Sequence, residues 1–109
     1  MANKSNTALI SIHPEHVSKI LNGSKTFEFR KRISSRVSRI AIYATNPVQK
    51  IVAFADVEEI IQAPPQILWR NTRGGAGISY DFFQSYFCNS DVASALKIGN
   101  VQKLSSPIS

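Results

Sequence analysis

Ile51-Val52-Ala53-Phe54-Ala55 is apolar at five consecutive positions. Successive side chains of a strand point to opposite sides, so a strand with this pattern buries both of its faces. Residues 50–60 therefore read as a strand in the middle of a closed or covered sheet, turning polar only at Asp56, Glu58 and Glu59.

Such a strand needs partners on either side, and the sequence supplies them. Residues 8–12 are apolar and β-branched, residues 26–31 alternate, and residues 39–45 set Ile40, Ile42 and Ala44 against Tyr43 and Thr45. Residues 92–98 and 101–104 read as two closing strands around Gly99-Asn100, a good hairpin turn. Pro14 opens a short amphipathic helix carrying Val17, Ile20 and Leu21, which Asn22-Gly23 stops. Pro64-Pro65 opens a second helix with Ile67, Leu68 and Trp69 available for packing. Ser79 caps a third, whose Phe82, Phe83, Tyr86 and Phe87 cluster on one side and read as core. Between them Arg73-Gly74-Gly75-Ala76-Gly77 reads as a flexible surface loop. The fold class is α+β: a small mixed β-barrel of five or six strands with short helices, closure removing the exposed edges of so short a sheet.

At 109 residues the chain closes one core. Residues 1–7 are expected to form a flexible N-terminal segment and residues 8–108 a single domain. The polar N-terminus has no apolar stretch of an export signal, and no apolar run reaches the length of a membrane span. With Cys88 alone there is no internal disulfide. The expectation is a cytoplasmic protein with no membrane partner. Thirteen basic against seven acidic residues give a net charge of +6, which favours an anionic partner.

The surplus charge is concentrated. Lys25, Arg30, Lys31, Arg32, Arg36 and Arg39 fall close together with Glu28 as their only acidic neighbour. In Gly23-Ser24-Lys25-Thr26-Phe27-Glu28-Phe29-Arg30 an extended backbone turns Phe27 and Phe29 to one side and Glu28 and Arg30 to the other. Lys25, at the turn into the strand, can fold back over the polar face. Two cations beside one carboxylate make a seat for a phosphate, and Arg30 offers a planar fork of donors. Glu28 can orient Arg30 or accept a hydrogen bond from a base. Arg32, Arg36 and Arg39 are then placed to grip a nucleic-acid backbone.

Catalysis asks for more. RNA cleavage needs a base for the 2′-hydroxyl and an acid for the leaving oxygen, tasks that suit histidine. His13, directly after the first strand, is the better placed; His16, a turn into the helix, reads as solvated. Lys25 becomes a base only if burial depresses its pKa. The candidate catalytic groups are thus Lys25, Glu28 and His13. Tyr43 and Trp69 are candidates to flank a base. Two histidines three apart and one distant cysteine have no zinc spacing, and no phosphate-cradling glycine loop is present, so neither metal nor cofactor is expected.

Leu9-Ile10-Ser11-Ile12-His13-Pro14, then Gly23-x-Lys25-x-x-Glu28-x-Arg30, then Ile42-Tyr43-Ala44-Thr45, and late in the chain Gly77-Ile78-Ser79-x-x-Phe82-Phe83-x-x-Tyr86-Phe87 together resemble the ASCH domain, a member of the PUA-like superfamily. The resemblance covers almost the whole chain. It implies a β-barrel with short helices and a cleft, lined by the motif's Lys25, Glu28 and Arg30, that engages RNA or a nucleotide; Ser11, Tyr43 and Thr45 stand in the flanking segments and join the candidate binding residues. One branch of the family hydrolyses acetylated cytidine with a Thr three residues after the motif lysine. Here that position is Glu28, which tells against the same chemistry. The leading expectation is an RNA- or nucleotide-binding domain, regulatory in role, with DNA as a further possible partner. The alternatives are a hydrolase of RNA or of a modified nucleoside, and a regulatory protein-interaction module.

Overall fold

The computed structural model describes residues 6–109. The elements are β1 (Thr7–Ile12), α1 (Pro14–Leu21), β2 (Phe27–Arg30), β3 (Arg39–Ala44), β4 (Lys50–Ala63), α2 (Pro65–Thr72), a 3-10 turn (Arg73–Gly75), α3 (Tyr80–Tyr86) and β5 (Ala93–Ile108). One sheet holds all five strands in the order β1-β3-β4-β5-β2. β1 runs parallel to β3 and the other pairings are antiparallel.

The doubly apolar segment is where its pattern demands, in central β4. Ala53 and Ala55 face the core at 0% and 2% exposure. Phe54 points the other way, beneath the Arg39 guanidinium at 4.5 Å. On the Ala53 side, Ile10, Ile12, Ile40 and Ile42 pack under Val17 and Ile20 of α1. Each such side chain contributes about 1.5–3 kcal/mol relative to exposure. A second cluster forms where Phe29 of β2 meets Leu68 of α2 and Phe83 and Phe87 of α3, with the Phe29 ring edge-on to both phenylalanines at 5.2 and 6.2 Å.

Three expectations are corrected. The hydrogen-bonded sheet is not closed among the described residues: β1 and β2 remain edges. Gly99-Asn100 is not a hairpin turn, because β5 continues through it. The register jumps from Asp56↔Gly99 to Phe54↔Gln102, a bulge in which Asn100 takes a φ of 48° and its side chain donates to Asp56 at 3.1 Å. An Asn that tolerates the left-handed region suits a bulge as well as a tight turn, and the length of β4 gives both halves of β5 a partner. Finally, Phe82 does not join the aromatic core and is 53% exposed.

The expected N-terminal flexible segment, 1–7, falls mostly outside the described residues; at its end the Asn6 carbonyl accepts from the Ser38 amide at 3.0 Å and Thr7 opens β1. No helix among the described residues is long and apolar enough to cross a membrane.

Candidate functional site at the sheet seam

α1 starts where β1 ends because Pro14 presets the first helical turn and His13 caps it: the His13 Nδ1 accepts from the Glu15 amide at 3.3 Å. The helix brings Lys19 to the Gly77 carbonyl at 2.9 Å and turns His16 inward. After the Asn22-Gly23 stop, the chain enters β2, which among the described residues pairs only with β5. The other edge of β2 faces β1 without backbone pairing, and a cavity of about 150 Å³ opens along this seam. Ser11, His13 and His16 line it from one side, Lys25, Glu28 and Arg30 from the other. Ile78, Phe82 and Tyr86 form the third wall.

The charged triplet is assembled here. Lys25 is 2% and Glu28 8% exposed. The Lys25 ammonium donates to the Ala76 carbonyl at 2.6 Å, lies 3.7 Å from the Glu28 carboxylate and stands over the Phe29 ring at 5.1 Å. The other Glu28 oxygen meets Arg30 Nη2 at 3.1 Å, and the same nitrogen donates to the Ser11 carbonyl at 2.8 Å. Arg30 Nε is buried without a partner, as is His16 Nδ1. The trio carries a net charge of +1, taken as two cations and one carboxylate.

Burial sets the titration. It lowers the Lys25 pKa, an effect that Glu28 partly offsets. It raises that of Glu28 against the pull of Lys25 and Arg30. It also lowers the pKa of His16, with the nearby Lys25 charge acting in the same direction. Both effects favour the neutral imidazole of His16, which is set edge-on between His13, 6.1 Å away, and Phe82, 5.8 Å away.

Of the residues expected from the sequence, Ser11, His13, Lys25, Glu28 and Arg30 line one cavity. Arg32 and Arg36 lie exposed on the loop just beyond β2. Arg39, Tyr43 and Thr45 are not in its walls: Arg39 covers Phe54, Tyr43 is half-buried beside Ser11 and Ile51 in the sheet register, and the Thr45 amide caps β1 by donating to the Ile12 carbonyl at 3.0 Å. Trp69 packs on Phe83 at 5.0 Å, away from this cavity. His16, expected to be solvated, is part of the cavity wall. Its position three residues after the capping His13 brings the two rings to 6.1 Å, the one signal available. The Arg73–Gly77 loop, expected to be flexible, is not an open surface loop. Its carbonyls instead accept from Lys25, Lys19 and the Thr26 amide, making it a fixed wall. Among the described residues no group of three His, Cys, Asp or Glu side chains could hold a metal ion.

No family model matches the chain. A curated protein of Zymomonas mobilis subsp. mobilis, named ASCH domain-containing ribonuclease, is 36% identical over 99 residues, which are 89% of this chain and 67% of that protein. A crystal structure of ASCH from Zymomonas mobilis superposes with a TM-score of 0.85 at 36% identity, over 94% of this chain and 73% of that one. A crystal structure of a point mutant of the same protein gives 0.87 over the same shares. With this identity along nearly its whole length, and a Gly-x-Lys-x-x-Glu-x-Arg segment that builds one wall of a charged cavity, the chain belongs to the ASCH domain family.

Proposed function

We propose that the protein binds RNA at the seam cavity and cleaves the strand there. The observation that carries this reading is the Lys25–Glu28–Arg30 trio, with Lys25 and Glu28 buried and a surplus positive charge, lining one cavity with His13 and His16. A cavity of about 150 Å³ is well below the roughly 300–1,000 Å³ of pockets for whole drug-sized ligands. It suits one base or one phosphate of a longer strand. Phe82, exposed at the mouth, offers a stacking face, and Lys31, Arg32 and Arg36 supply a basic track leading away from it. The name of the Zymomonas relative supports the choice of RNA and of turnover.

In this reading His16 takes the proton of the 2′-hydroxyl, whose oxygen attacks the adjacent phosphorus. The charge that builds on the phosphoryl oxygens is stabilised by Lys25 and Arg30. The bond to the 5′-oxygen breaks, and that oxygen takes its proton from water entering past exposed His13, whose Nδ1 stays engaged in capping the helix. Glu28 keeps the two cations in register. Arg30 acts through its remaining edge, since Nη2 is already engaged. The cytoplasm is the compartment we propose, in keeping with an exposed, unpaired Cys88.

The test is incubation with single-stranded RNA followed by mass spectrometry of the products. Termini bearing a 2′,3′-cyclic phosphate are expected, and they should be lost in Lys25→Ala. Binding that persists with no product at any pH would leave a binding module and refute the cleavage step.

A further inference from the structure

On the far side of α3 from the seam lies a second hollow of about 340 Å³, lined by Gln66, Trp69, Arg70, Arg73 and Tyr80. Arg70 and Arg73 are exposed and make no ion pair among the described residues. Tyr80 is 40% exposed, and its ring packs on Trp69 at 5.4 Å. Two unpaired guanidiniums beside an exposed aromatic ring and an amide have the composition of a single-stranded nucleic-acid platform: cations for phosphates, a ring face for a base. We infer that this hollow is a second contact site for the strand whose reactive nucleotide sits at the seam, an inference that rests on the RNA reading above.

The two sites share their walls. Residues 73–82 form a continuous partition: Arg73 and Tyr80 face the second hollow, Ile78 and Phe82 the seam cavity. The partition is held in place, since Gly75 accepts from the Thr26 amide at 2.9 Å and Ala76 and Gly77 accept from Lys25 and Lys19. Five residue-to-residue steps lead from Arg73 to Ile78, a span of at most about 18 Å when fully extended. A strand of a few nucleotides can cross this wall and touch both sites, whereas a rigid duplex has no unstacked base to offer Tyr80. The ligand class is therefore single-stranded RNA longer than the seam alone accommodates.

The experiment compares the wild type, Arg70→Ala/Arg73→Ala, and a control that removes two exposed lysines elsewhere, Lys50→Ala/Lys103→Ala. Binding of a dinucleotide and of single-stranded RNAs of increasing length is followed by fluorescence anisotropy across a salt series. For the wild type, affinity should rise with length. In the arginine variant long strands should bind about tenfold more weakly, and the log–log salt slope should flatten by about 1.4, or about 0.7 for each of two phosphates. Dinucleotide cleavage should stay unchanged and the lysine control should match the wild type. Equal affinities and slopes in wild type and arginine variant, or an equal loss in the lysine control, overturn the second site. A wild type that cleaves the dinucleotide but gains nothing with length also overturns it, leaving the seam reading intact. A wild type that binds no RNA of any length overturns both.

Discussion

Arg30 of β2 donates to the Ser11 carbonyl of β1 at 2.8 Å from the same nitrogen that meets Glu28 at 3.1 Å. One guanidinium thus spans the gap between the two edge strands, where backbone pairing would otherwise close a barrel. The contact is charge-assisted, a class worth about 1.5–3 kcal/mol. Arg30→Lys puts a single, more strongly hydrated point charge there and loses the planar geometry. The urea midpoint should fall by the equivalent of about 1.5–3 kcal/mol at unchanged m, and β1 amides should exchange faster with solvent. Unaltered exchange in β1 would mean that other contacts hold the seam.

Gly77 fixes the opposite wall. Its φ is 68°, and a Cβ there would lie 2.7 Å from Lys25 Cβ and Cγ. Gly77→Ala should therefore cost about 1–2 kcal/mol for the left-handed backbone alone, plus whatever displaces Lys25 from the Ala76 carbonyl. RNA cleavage should fall further than stability does. Asn at this position tolerates the backbone but still meets Lys25, so Gly77→Asn should recover part of the stability and little of the activity, measured by thermal unfolding and initial rates.

How much of this was legible in the sequence follows from the range of the forces involved. The alternation Phe27–Arg30 and the doubly apolar 51–55 are local patterns, and local patterns fixed the strand faces and the central position of β4. The convergence of Ser11, His13, Lys25, Glu28 and Arg30 was readable through the spacing of the motif and its family resemblance. The open seam was not, since nothing in residues 7–12 or 27–30 says whether two edges pair or are bridged by one side chain. Nor was the inward turn of His16: a polar residue one turn into a helix faces solvent by default, and it is Phe82 of α3, far along the chain, whose ring meets it at 5.8 Å. The rigidity of the 73–77 loop depends on Lys25 and Lys19, some fifty residues away.

Glu28 offsets the burial of Lys25, so Glu28→Gln should expose the cost of that burial. With its carboxylate gone, Lys25 and Arg30 are left as two uncompensated cations, a change worth about 3–5 kcal/mol in buried pairs. The Lys25 pKa should drop further below the usual lysine value, because Glu28 is what raises it. A folded-state pKa below the unfolded one means that the unfolded chain binds the proton more tightly, so stability is lost as pH falls through the folded value and regained as pH rises toward the unfolded value of about 10.5. The gap in urea midpoint between Glu28→Gln and wild type should accordingly narrow at alkaline pH. A gap independent of pH would indicate that Lys25 stays fully charged and is not the group responding.

For His16 the active form as a base is the neutral imidazole, and burial with the Lys25 charge holds its pKa below the ordinary 6.5. Glu15 on the same helix opposes this, while Lys19 and His13 reinforce it. kcat/KM should therefore be level at neutral pH and fall on the acid side with a midpoint below 6.5. His16→Gln should abolish that limb and lower the rate by about 10²–10⁴-fold. The same depressed pKa makes folding stability present above 6.5 and lost as pH falls through the folded value, so acid unfolding has to be separated from loss of the base. Far-UV circular dichroism across the same pH range does so: rate falling while the signal holds assigns the limb to proton transfer. An acid limb that survives unchanged in His16→Gln would move the base to His13 or Lys25.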